Sequence, residues 1–175
     1  KIVFTYSIAN FPVMRCLEQI RNDVCYHGLN VKIVAVGGGL AYGPAGYSHH
    51  AVEDLAVMRA MPNMVVVAPG DPMEARSATQ ALVAQSGPGY LRLGKGGEPC
   101  VHTTAINFQI GKSINIRAGQ DVTLVSTGGV LDMVVRAAEH LAEQNVSAAV
   151  LSLPTLQPLD AGAIAQAAKR TRRII

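Results

Sequence analysis

The sequence predicts an α/β protein with mostly parallel sheets and helices on both faces. Three observations carry that expectation. Strand-type apolar runs at residues 29–36, 63–69 and 146–153 alternate with stretches of helical period, the pattern of strands joined by right-handed crossovers. Residues 64–68 are apolar without a break, as a strand covered on both faces requires. Glycine and proline punctuate the joins, as at Gly37–Gly39 and Gly87-Pro88. At 175 residues, 49% hydrophobic and 15% charged, the chain is globular and forms one domain or two small ones.

Residues 1–6 (KIVFTY) read as a strand already under way, and an exposed edge there invites association. Pro12 suits a first helical turn. Val13, Leu17, Ile20 and Val24 give an amphipathic helix to about Asn22. Residues 29–36 form the second strand. Gly37, Gly38, Gly39, Gly43 and Gly46 then let the backbone turn sharply and approach a ligand. Ser48 stands where a helix cap is expected, with Val52, Leu55 and Ala56 as the inward stripe and Glu53 and Asp54 near the positive end of the dipole. That arrangement places His49 and His50 at a helix start beside free N–H groups, where neutral imidazole can donate or accept a proton.

A third strand at residues 63–69 leads to Asp71-Pro72-Met73-Glu74. Asp at the cap, Pro at the first position and Glu at the third mark a helix start. The helix runs to about Gln85, and residues 89–96 (GYLRLGKG) form the next strand. Residues 98–120 are polar and broken by Pro99, Gly111 and Gly119, so they read as a connection with a short strand or two. Strands at 121–129 and 146–153 and helices at 130–144 and 161–170 make a second βαβα unit. Arg173–Ile175 opens a further strand. The expected division is a partial domain over 1–103, a linker over 104–120 and a partial domain over 121–175, with both ends reading as cut.

Composition excludes several functions. A net charge of +3 is too small to argue for nucleic acid. Lys169, Arg170, Arg172 and Arg173 end an alanine-rich helix, where cations suit the dipole. Cys16, Cys25 and Cys100 fit neither a metal pair nor a disulfide framework. His49 and His50 lack cysteine or carboxylate neighbours at ligand spacing, so no metal site is expected in the chain. No apolar run reaches the length of a membrane span, and a cytoplasmic protein is expected.

The wording of GYSHHAVEDLAVMRAMPNMVVVAPGDPMEA, followed by GPGYLRLGKG, resembles the pyrimidine-binding domain of transketolase-like thiamine diphosphate enzymes. The shared pattern is a Gly-x-Ser/Thr-His segment, a helix ending Met-Arg-x-x-Pro-Asn-Met, an Asp-Pro-x-Glu-Ala helix start and a Gly-Pro-x-Tyr-Leu-Arg strand, in that order. The resemblance covers nearly the whole chain. It implies the later half of that domain followed by a truncated α/β C-terminal domain, and transfer of a two-carbon ketol unit between sugars through thiamine diphosphate.

The resemblance also implies roles. His49 matches the imidazole over the cofactor's reactive carbon, and His50 stands where sugar-phosphate members usually carry Gln. Phe11 and Tyr6 fall where aromatic rings seat the pyrimidine. Lys95 matches a basic residue that holds a substrate phosphate. Arg92 is a second substrate contact or a structural partner for a buried carboxylate. Two positions depart: a His ahead of the loop and an Asp within it become Gly37 and Ala45, which argues against the pentose-phosphate reaction. The family's catalytic Glu belongs before Lys1, and its Gly-Asp-Gly segment for diphosphate and Mg²⁺ belongs to another domain. The chain is therefore expected to be inactive alone and to work as a homodimer or a split-subunit heterotetramer. Three alternatives stay open: 1-deoxyxylulose-5-phosphate synthase, a 2-oxo acid dehydrogenase β-subunit, and a non-catalytic interaction module.

Overall fold

The computed structural model describes residues 1–175. Its first sheet contains β1 (Val3–Ile8), β2 (Val31–Val36), β3 (Val65–Val67) and β4 (Gly89–Leu93), ordered β1-β2-β4-β3 and parallel throughout. Alternate residues face opposite cores. Ile33, Ala35, Val66 and Tyr90 pack with Val13 and Met58 on one side, while Val34, Val65, Val67 and Leu91 pack with Ala78 and Leu82 on the other. Both faces of the central strands are covered, which is why β2 and β3 are mostly apolar. β1 is an edge, and Tyr6 on it is 73% exposed.

The first crossover is helical but not a plain α-helix. Wide π-type turns span Phe11–Arg15 and Ile20–Cys25, with α1 (Leu17–Gln19) between them. A wider turn carries the buried row from Ile20 to Cys25, so Val24, expected inside, is only half-buried. The second crossover corrects the sequence more sharply. α2 is Asp54–Ala60, preceded by Glu53, so Ser48 caps nothing. Val52 is 60% exposed and Ala56 is exposed, while Asp54 and Met58 are buried.

α3 (Pro72–Ala84) starts where the capping pattern placed it, with Asp71 Oδ1 accepting from the Glu74 N–H at 2.8 Å. Glu74 does not reach back to its cap residue, accepting instead from the Gly70 N–H at 2.6 Å. Beyond the C-terminal end of α3, the fully buried Lys32 donates to the carbonyls of Gln85 and Gly87 at 2.8 and 2.6 Å. Burial pushes its pKa below the ordinary lysine value.

The second unit contains β5 (Ile114–Arg117), β6 (Val122–Ser126), α4 (Leu131–Glu143), β7 (Ala148–Ser152) and α5 (Ala161–Thr171). Its sheet order is β5-β7-β6, with β7 parallel to β6 and antiparallel to β5. Ile174 lies parallel beside Thr123 of β6, joined through Arg173 O and Ile175 N at 2.9 and 3.0 Å. The sequence pattern missed one strand. β8 (Thr155–Gln157) leaves the second unit and pairs antiparallel with β3, completing the first sheet. Backbone bonds from Ala68 N–H to Pro154 O at 2.7 Å and from Gly128 N–H to Ala68 O at 3.0 Å tie the two units together.

Candidate active site

Parallel strands deliver their following loops to one edge of the sheet, and ligands of α/β proteins bind there. Beyond β1 lies Phe11, beyond β2 the loop of Gly37–His50, and beyond β4 Lys95. Two bonds close the loop at its base, Gly39 N–H to Ala51 O at 2.8 Å and Ala51 N–H to Gly39 O at 3.0 Å.

Gly37 and Gly38 are glycine for stated reasons. Gly37 has φ +76°, and a Cβ there would run into the Tyr42 ring; a Cβ on Gly38 would meet the Arg92 guanidinium. Gly37 is thus roofed by a ring of its own loop and Gly38 by a side chain from β4. Arg92 is held in place: its Nε donates to Asp54 Oδ2 at 2.9 Å and its Nη2 to Ala51 O at 2.9 Å. The Tyr90 hydroxyl donates to the same Asp54 oxygen at 2.6 Å. Burial, reinforced by the Asp54 carboxylate, pushes the Tyr90 pKa far above the ordinary phenol range. Of the two readings left open for Arg92, the partner of a buried carboxylate is what the geometry displays; its guanidinium also borders a cleft of about 410 Å³.

His49 and Phe11 meet. Their ring centroids are 5.2 Å apart at 63°, and Tyr42 approaches His49 at 5.8 Å. Ser48 Oγ lies 3.0 Å from His49 Nδ1, leaving Nε2 as the free nitrogen of the ring. His50 turns away and places Nε2 2.9 Å from the Gly43 carbonyl. Both backbone N–H groups donate to Gly46 O, at 3.0 and 3.2 Å. They are neither free nor at a helix start, so the helix-dipole argument for these histidines fails: α2 begins four residues after His50.

Lys95 places its ammonium 5.3 Å over the Tyr42 ring. It borders the 410 Å³ cleft with Arg92 and Glu98, and a neighbouring cleft of about 330 Å³ with Tyr6, Asp71 and Glu98. Tyr6 is not among the rings paired with Phe11 or His49. The structure therefore links Phe11 to His49, and His49 and Lys95 to Tyr42; Tyr6 shares only the 330 Å³ cleft with Lys95, and His50 turns away. Sequence reasoning passed over Tyr42, although an aromatic set among loop glycines was a signal of closure.

A second polar cluster sits behind the clefts. Asp71 Oδ2 accepts from the N–H groups of Val101 and His102, at 2.9 Å each, and lies 2.9 Å from His102 Nδ1. Burial would raise the Asp71 pKa, but these donors and the Glu74 N–H outweigh it and hold the carboxyl below its ordinary value. Glu74, fully buried and 3.8 Å from His102 Nε2, is pushed upward by burial.

For an aminopyrimidine the residues fit: Phe11 offers an aromatic face and His49 an imidazole beside it. For Mg²⁺ they do not, since no three His, Cys, Asp or Glu side chains are placed to hold a metal ion. A site gathered at the carboxyl ends of parallel strands, with an aromatic–imidazole pair and a lysine nearby, lies where α/β proteins bind ligands. Residues 1–98 match the transketolase pyrimidine-binding domain and residues 111–175 the transketolase C-terminal domain, and the chain belongs to the transketolase family, which is thiamine diphosphate-dependent.

It is 38% identical to one subunit of an apulose-4-phosphate transketolase of Phocaeicola vulgatus, over 100% of this chain and 56% of that protein. It is 38% identical to a putative transketolase C-terminal section of Methanocaldococcus jannaschii, over 91% of this chain and 51% of that protein. A solved structure of a split-gene transketolase, described as an inactive beta4 tetramer, superposes with a TM-score of 0.90 at 37% identity, covering 99% of this chain and 56% of that one. The chain spans about half the length of these two relatives. No helix is long and apolar enough to cross a membrane.

Proposed function

We infer that this chain supplies the pyrimidine seat and part of the substrate channel of an enzyme that moves a two-carbon ketol unit from a ketose to an aldose. The observation that carries this reading is the Phe11–His49 pair facing Lys95 across Tyr42. Thiamine diphosphate, when bound, supplies the nucleophilic carbon and the electron sink for breaking and remaking the C–C bond.

The chain's own groups orient and protonate. Phe11 offers an apolar ring face that sets the plane of the pyrimidine and excludes water from it. His49, steadied by Ser48 at Nδ1, exchanges a proton with the substrate hydroxyl through Nε2. Lys95 attracts an anionic group at the far end of the substrate, in keeping with relatives named for sugar-phosphate transfer. Asp54 and Arg92 keep the loop closed at its base. Mg²⁺ and the diphosphate are held by another domain or subunit, so the working unit is a homodimer or a split-subunit heterotetramer; the relative named as one subunit of a transketolase supports the latter.

The test is ketol transfer by the full-length protein with its diphosphate-binding domain or subunit, followed by aldose consumption. His49→Ala is expected to lower kcat by about 100-fold or more while the protein stays folded. A wild type that folds and binds the cofactor but transfers nothing would instead favour a non-catalytic interaction module. Release of CO2 from a 2-oxo acid with acyl transfer would favour the dehydrogenase.

A further inference from the structure

We propose that Tyr42 is a specificity-determining residue, fixing the span between the proton-transfer end and the anion-binding end of the substrate channel. This assignment rests on the functional reading above. Its independent support is geometric. The Tyr42 ring lies beside His49, with centroids 5.8 Å apart, and carries the Lys95 ammonium 5.3 Å from its own centroid. One side chain therefore touches both groups that read the substrate, at opposite ends of the reaction coordinate and the recognition contact.

The ring has no freedom to retreat into the loop backbone, because it already covers Gly37 at φ +76°. Only glycine leaves that space, since any Cβ at position 37 would overlap the ring. Gly37 and Tyr42 are in this sense one device: a residue without a side chain, and an aromatic ring five positions later filling the space. The ring does two things. Its face stabilises the ammonium of a long flexible side chain, so Lys95 waits at one place instead of many. Its body adjoins both His49 and Lys95, which favours a substrate whose anionic group and carbonyl are separated by one fixed span.

The full-length protein with its diphosphate-binding domain or subunit is assayed with β-hydroxypyruvate as donor. D-glyceraldehyde 3-phosphate and D-glyceraldehyde are compared as acceptors. Tyr42→Ala is expected to reduce the ratio of the two kcat/KM values by about five-fold or more, through a higher KM for the phosphorylated acceptor. Tyr42→Phe keeps the ring and holds the ratio within about two-fold. Tyr42→Leu fills the space over Gly37 without a π face; it safeguards the test against a collapsed loop and is expected to follow Tyr42→Ala. Equal losses for both acceptors, with the ratio unmoved, would mean a merely structural ring and overturn the assignment alone. No transfer by the wild type overturns the functional reading and the assignment with it.

Discussion

Asp54 and the Asp71–Glu74 pair are all buried carboxylates in the first turn of a helix or at its cap, yet they do opposite work. Asp54, the first residue of α2, ignores the helix and accepts from Arg92 and Tyr90 across the sheet, anchoring the base of the glycine loop. Asp71 caps α3 as its position suggests, then spends its second oxygen on the segment that leads to the second unit. The first carboxylate faces a guanidinium that stays charged at every accessible pH; the second pair faces an imidazole. A carboxylate at a helix start therefore says little by itself. Its burial and the donors gathered around it decide what it does.

The largest expected effect breaks the first region. Asp54→Ala leaves the Arg92 guanidinium and the buried Tyr90 hydroxyl without their acceptor. Removing one partner of a buried pair costs about 3–5 kcal/mol, so the melting temperature should fall by roughly 6 °C or more. A fall within experimental error would mean that Asp54 is idle and that the loop is held by its backbone bonds alone.

A smaller effect sharpens the second region. The raised pKa of Glu74 means that its contribution is present below the unfolded value, about 4.3, and is lost as pH rises through the folded one. Asp71 runs the other way: its lowered pKa gives stability above the unfolded value, about 3.9, that is lost as pH falls through the folded one. Glu74→Gln removes only the first dependence. Its melting temperature relative to wild type should therefore be higher at pH 7 than at pH 4, by a few degrees at most. The opposite trend would show Glu74 ionised and favourably paired with His102.

The central parallel strands were legible because most of their residues are apolar, and α3 because Asp71, Pro72 and Glu74 state its start within four positions. The same logic misplaced α2. Ser48 looks like a cap, but a serine hydroxyl serves a side chain equally well, and here it lies 3.0 Å from His49 Nδ1. Asp54 looked like a dipole residue because its partner Arg92 is 38 positions away, beyond any local pattern. β8 was invisible for a related reason: three residues carry no period, and their pairing with β3 is decided by how the second unit returns to the first. Phe11, His49 and Lys95 could be singled out from motif wording, whereas Tyr42 had only its place among loop glycines until the ring geometry set it beside His49 and Lys95.

Everything proposed for the site depends on Phe11 as the face that seats the pyrimidine. The direct measurement is the affinity for thiamine diphosphate, with Mg²⁺, of the full-length protein and its diphosphate-binding domain or subunit. Losing a buried Phe face costs about 1.5–3 kcal/mol, so Phe11→Ala should weaken binding by roughly ten-fold or more. Tyr6→Ala, which removes a ring 73% exposed on β1, should change it by less than about two-fold. Wild-type affinity in Phe11→Ala, or a larger loss in Tyr6→Ala, would contradict that role.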